Sequence, residues 1–166
     1  KAVKEDKITC IRDELEESKL YLELFRIRYG NKLSVTYDID PRILEYGIAR
    51  HVIQPLLENY IIHGFDSSKT NNSIIIKGYM QDKFIIIETI DDGKGIPKNE
   101  LCEIRDSLDN YSIENTSNIG LVNVNQRIKL IFGNECGIQI DSTVDTVTVI
   151  KLKFLPKKVE ELHASV

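Results

Sequence analysis

Three hydropathic rhythms divide this chain. Ile8, Ile11, Leu15, Ser18, Leu22, Phe25 and Tyr29 recur at alternating spacings of three and four residues. That period predicts a helix carrying a heptad-like seam, stopped by Gly30-Asn31. Leu20, Leu24 and Ile27 widen the stripe, so the helix is expected to bury more than a narrow seam. On pattern alone it can pack on its own domain or against another chain. From Leu33 to Ile39 the rhythm switches to apolar–polar alternation, which predicts a strand. Isoleucine-rich runs at 73–80 and 84–90 predict two more strands, joined by a short turn around Gln81-Asp82-Lys83. A further hairpin is expected from 137–142 and 146–154, with Val144-Asp145 at its turn. Helical spacing returns at 43–63, 99–109 and Ile119–Phe132, the last ending at Gly133-Asn134.

Strands clustered with helices between them predict an α/β two-layer sandwich. Its sheet would be mixed and mostly antiparallel, with helices on one face. Beyond Pro156 the charged run Lys157-Lys158-Val159-Glu160-Glu161 predicts a frayed tail over 156–166. No internal repeat or low-complexity segment interrupts the pattern.

Composition narrows the function classes. The 166 residues are 42% hydrophobic and 29% charged, as in a globular domain with a core of ordinary size. A net charge of −4 argues against a basic surface for nucleic acid or anionic lipid. Cys10, Cys102 and Cys136 lack metal-like spacing and are expected as reduced thiols. No apolar run reaches the ~20 residues that span a bilayer, and no signal-peptide pattern opens the chain. Because Lys1 already lies within a helical pattern, the chain is expected to be a piece of a longer protein. Any membrane segment would then lie outside it.

Three short blocks carry the chemistry. Asp91-Asp92-Gly93-Lys94-Gly95 follows the apolar run Phe84-Ile85-Ile86-Ile87. Upstream stands Gln54-Pro55-Leu56-Leu57-Glu58-Asn59-Tyr60-Ile61-Ile62-His63-Gly64, and downstream Asn118-Ile119-Gly120-Leu121-Val122-Asn123 opens a helix. An ionised carboxylate accepts from an exocyclic amine such as that of adenine. An amide oxygen suits magnesium, which keeps waters and takes phosphate oxygens for the remainder. A helix start receives phosphate through its exposed amides. Each block alone has an ordinary explanation: an Asp-Gly turn, a buried Asn bonded to backbone, a surface loop.

Together, in this order and spacing, the blocks resemble the N, G1 and G2 boxes of the ATP-binding domain of sensor histidine kinases, within the wider GHKL superfamily. Pro55-Leu56-Leu57-Glu58-Asn59 followed by His63-Gly64 is similar to the N box of the LytS-type subfamily. The segment Glu14-Leu15-Glu16, Tyr21-Leu22-Glu23-Leu24 and Arg26-Ile27-Arg28-Tyr29-Gly30 resembles what precedes that box. The resemblance runs from about Ile11 to Phe154.

It implies a Bergerat-type fold over 31–155, preceded at 1–30 by the end of a dimerisation and phosphoacceptor helix. Asp91 takes the position that contacts adenine, with Gly93, Gly95 and Ile96 shaping the loop. Asn59 takes the magnesium position, and His63 stands one turn along the same helix. Gly120, Leu121, Asn123 and Arg127 take the phosphate-side positions, Arg127 being equally able to pair with a surface carboxylate. The polar stretch between Pro97 and Asn118, with Asn115-Thr116-Ser117, corresponds to a mobile ATP lid.

The implied activity is a protein-histidine kinase that uses ATP and Mg2+. Related ATPases place a water-activating Glu where this chain has Pro55. Glu58 lies about 100° around the helix from Asn59. Phosphoryl transfer is therefore expected over hydrolysis. The acceptor histidine would lie on an absent hairpin rather than at His51, His63 or His163, so no catalytic residue beyond the nucleotide site is expected here. A response regulator, homodimerisation of the whole protein and a cytoplasmic setting follow from the same resemblance. Tyr60, Ile62, Asp92 and Asn118 depart from the family pattern, and each lowers the expected nucleotide affinity. They define the rival expectation, a non-catalytic dimeric signalling module with a vestigial pocket.

Overall fold

A computed structural model describes residues 7–110 and 118–164. The described residues open in a short strand, β1 (Ile8–Cys10), and the helical pattern expected from Lys1 lies in part outside them. Helix α1 (Ile11–Tyr29), β2 (Leu33–Ile39), β3 (Gly47–Ala49) and α2 (Gln54–His63) follow. Next come β4 (Asn72–Gln81), β5 (Phe84–Asp91), α3 (Lys98–Asn110) and α4 (Ile119–Phe132). The hairpin β6 (Gly137–Thr143) and β7 (Val147–Phe154) and a short α5 (Val159–His163) complete the order.

Five strands form one sheet in the order β2-β4-β5-β7-β6. Only β2 and β4 run parallel; the remaining neighbours are antiparallel. This is the mixed sandwich that the alternating and helical periods predict. Alternate residues of β4 and β7 are buried, among them Ile74, Ile76, Ile150 and Leu152, and they meet α1, α2 and α4 in a single core. On the outer side β6 is the sheet margin, where Asn125 Oδ1 accepts from Ile138 N at 2.8 Å. Arg105 donates to Ile140 O through Nε and Nη2 at 3.1 and 2.8 Å. Among the described residues no helix is long and apolar enough to cross a membrane, and all three cysteines are free.

The largest departures from expectation lie around α2. No helix fills 43–63: residues 41–43 form a 3-10 turn, and Gly47–Ala49 is a strand. Pro55 explains the late start, because proline is accommodated only in a helix's first turn, where its missing N–H has no partner to lose. Strand β3 pairs antiparallel with β1, so Ile8 pairs with Ala49 instead of entering the helical seam. Over the described residues 157–164 the tail is not frayed. Lys158 bridges Tyr46, Gly47 N donates to Lys157 O at 2.7 Å, and α5 buries Leu162 against Gly47.

Helix α1 turns its seam inward. Ile11, Leu15, Ser18 and Leu22 are buried in the same core as the sheet. Phe25 and Tyr29 meet Phe65, with ring centroids 4.9 and 5.2 Å away. The widening residues Leu20, Leu24 and Ile27 remain exposed. Of the expected lid, α3 is described and residues 111–117, including Asn115-Thr116-Ser117, lie outside the described residues.

Candidate functional site

Asp91 ends β5, which the sheet holds between β4 and β7; its register partners are Ile74 and Thr148. The carboxylate is buried, and its Oδ1 accepts from Gly93 N at 2.9 Å. Burial pushes its pKa up to about 6; the Gly93 amide opposes the rise and the neighbouring Asp92 charge adds to it. Asp92 faces outward, where its Oδ1 accepts from Ser73 N at 2.9 Å and ties the loop to β4.

The glycines of this loop serve close approach. A Cβ on Gly93 would stand 2.6 Å from both Cα and O of Gly64, so the loop lies directly on the backbone that leaves α2. Gly95 has a φ of +70°, and a Cβ there would meet Thr143 O at 2.4 Å in the β6–β7 turn. The next residue, Ile96, donates its N–H to Ser142 Oγ at 2.8 Å, and Ser142 Oγ lies 2.7 Å from Thr148 Oγ1. Two glycines and one hydroxyl chain therefore press the loop between the end of α2 and the β6–β7 hairpin.

Helix α2 supplies the opposite wall. Asn59, Tyr60, His63 and Gly64 line one cavity with Asp91, Gly95, Ile96 and Thr148. Tyr60 is only 2% exposed, its hydroxyl has no hydrogen-bond partner, and burial followed by the Asp91 and Asp92 charges raises its pKa. It fills the floor beside Asp91, and its ring lies close to the Gly64 α-carbon.

A second, more open cleft lies at the other end of α2. His51, Pro55, Gly120, Asn123, Val124, Gln126, Arg127 and Leu130 line it, and no carboxylate is among them. Arg127 Nη2 donates to Arg50 O at 2.6 Å, which settles its partner as a backbone carbonyl rather than a surface carboxylate. Gly120 faces open space apart from Pro55 Cβ at 3.7 Å. Asn118, just before α4, is buried with Nδ2 unpartnered.

The fold thus brings Asn59, His63, Asp91, Gly95 and Ile96 into one cavity and Gly120, Asn123 and Arg127 into a neighbouring cleft. Gly93 lies behind the loop, and the Leu121 side chain is in the core, so these two line neither space. Pro55, Asn59 and His63 are spaced one turn apart along α2, a rise of ~12 Å from first to last. One helix face therefore joins a carboxylate cavity to a cationic cleft, with an amide midway. Thr148, Ser142 and His51 escaped the sequence reading. Thr148 becomes visible only once the hairpin register sets it opposite Asp91; His51 carries no local signal.

The family model for histidine kinase-, DNA gyrase B- and HSP90-like ATPases matches residues 46–158, which contain both spaces. The chain belongs to that family. As such it is an ATP-binding domain, and its curated relatives include sensor proteins and sensor histidine kinases. It is 32% identical over 159 residues to the sensor protein LytS of Staphylococcus epidermidis, covering 94% of this chain and 26% of that protein. It is 35% identical to the sensor histidine kinase YpdA of Escherichia coli, covering 79% of this chain and 22% of that protein. The chain thus spans about a quarter of the length of these two relatives. Among solved structures, the catalytic domain of histidine kinase ThkA shares the fold at a TM-score of 0.63 and 15% identity, covering 93% of this chain and 97% of that one.

Proposed function

We propose that this domain binds Mg-ATP along the exposed face of α2 and presents the terminal phosphoryl group to a histidine outside these residues. The observation that carries the reading is the Pro55–Asn59–His63 face, which links the Asp91 cavity to the cationic cleft. Asp91, ionised above about pH 6, accepts from the adenine amine, and Gly93, Gly95 and Ile96 fix the loop around it. Gly120, the Leu121 backbone, Asn123 and Arg127 receive the phosphates at the start of α4. The single amide oxygen of Asn59 fits magnesium, a hard ion that takes its other ligands from phosphate and water. The ion would draw charge from the phosphate oxygens as transfer proceeds.

No carboxylate lines the cleft beside Pro55, which favours transfer to an acceptor over activation of water. The acceptor would lie on a hairpin of the same protein, in a dimer, with residues 1–30 joining hairpin and domain. A response regulator would then take the phosphoryl group on an aspartate, in a cytoplasmic setting. Calorimetry with ATP, with and without Mg2+, tests the binding step. Magnesium-dependent binding that Asp91→Asn removes is the expected result.

One observation favours the rival, a vestigial pocket in a signalling module: the Tyr60 side chain occupies the floor of the Asp91 cavity. Absence of binding at millimolar ATP in the wild type, with binding gained in Tyr60→Ala, would decide for it.

A further inference from the structure

We propose that His51 recognises the terminal phosphate of the nucleotide and so makes the domain distinguish ATP from ADP. The inference rests on the nucleotide reading above and adds a residue to it.

His51 lies outside all three sequence blocks, in the segment between β3 and α2, yet it lines the cationic cleft with Pro55, Gly120, Asn123 and Arg127. Three neighbours fix its place. Glu14 is buried on α1, and its Oε1 accepts from His51 N at 2.9 Å. Glu17, one turn further along α1, brings Oε2 to 3.9 Å from His51 Nδ1 while also facing Arg50 Nη1 at 3.8 Å. On the other side, Arg127 is tied to the carbonyl of the preceding residue, Arg50. The backbone at His51 takes a φ of +60°, which a non-glycine side chain adopts at a cost. The contacts from α1 and α4 hold it there.

The imidazole itself is 70% exposed. Among the described residues nothing bonds its Nε2, so this nitrogen is available to a ligand. Arg127 is already committed to a carbonyl, and Asn123 and Gln126 offer neutral amides. His51 adds an imidazole nitrogen to these donors around the cleft. With Nδ1 turned towards Glu17, Nε2 is the ring nitrogen left to donate to an anion.

Position selects the terminal phosphate. The Asp91 cavity lies at the C-terminal end of α2 and Pro55 at its start, with His51 four residues further upstream. A ligand whose base meets Asp91 and whose middle meets Asn59 directs its far end at Pro55 and His51. ADP, shorter by one phosphate, stops short of that end.

The test is calorimetry of ATP and ADP, both with MgCl2, on wild type, His51→Asn and Asp91→Asn. Asparagine tolerates the left-handed backbone while removing the imidazole. Expected in His51→Asn is a loss of ATP affinity of about five- to tenfold, the worth of one charge-assisted hydrogen bond, with ADP unchanged within about twofold. Equal weakening of both nucleotides, or of neither, overturns the role of His51. In that event, abolition of both by Asp91→Asn leaves the nucleotide reading standing. A wild type that binds neither nucleotide overturns both.

Discussion

Asp91 and Thr148 occupy paired positions on β5 and β7, so the carboxylate proposed to select the base is buried at the end of a central strand. That placement has an energetic cost. In the folded chain the carboxyl takes up its proton near pH 6, against an ordinary value of 3.8. The native state therefore holds the proton more tightly than the unfolded one. The group's contribution to stability is complete below about pH 3.8 and is lost as pH rises through 6. Asp91→Asn is expected to raise the melting temperature at pH 7.5, by on the order of 2 kcal/mol of stability, while removing ATP binding. Thermal unfolding at pH 7.5 and pH 4 checks it: the variant's advantage should shrink at the lower pH.

Gly93 has no room for a methyl group, since Gly64 Cα and O stand 2.6 Å from where a Cβ would sit. Gly93→Ala should cost about 1–3 kcal/mol through overpacking. Gly120→Ala, with open space around it, should fold with near wild-type stability. Urea midpoints of the two variants, measured side by side, give the comparison. Equal midpoints would contradict the close contact between the loop and the end of α2.

Ser142 links the nucleotide loop to the β6–β7 hairpin by accepting from Ile96 N and meeting Thr148 Oγ1. Ser142→Ala leaves a buried amide without its partner, a loss of about 1–3 kcal/mol. Faster hydrogen exchange at the Ile96 amide is expected, with exchange along β4 unchanged. An unaltered Ile96 rate would show that the loop is held by its glycines alone.

Leu162 closes the far side of the molecule against Gly47. Leu162→Ala should destabilise the domain by about 2–4 kcal/mol, a core-like value for a residue four positions from the end of the chain. Chemical denaturation reads this directly, and a loss below half a kilocalorie would return the tail to the frayed state its composition suggests.

The strands with strict alternation and the helix with a clean stop were legible because local period and burial coincide there. Leu33–Ile39 and Ile119–Phe132 have the same bounds in sequence and structure. The segment 43–53 was not legible. Its apolar residues Ile43, Ile48 and Ile53 are all buried, but they fill a turn, a strand and a helix cap, so no single period describes them. Leu162 was hidden for a related reason, since one apolar residue in a charged run has no period at all. In the site, Asp91, Asn59, Gly95 and Ile96 were readable from block order, and the fold gathers them. Thr148 and His51 were not, because only strand register and the α1 contacts bring them in. The seam on α1 carried the right period but left its partner open, and the domain's own core proved to be that partner.

The margin formed by β6 has a consequence for assembly. With the Ile138 amide and the Ile140 carbonyl already engaged by Asn125 and Arg105, an incoming strand meets two occupied rungs there. Copies or partners are thereby turned away from this stretch of β6, which leaves the β2 edge, helical surfaces and loops to meet them.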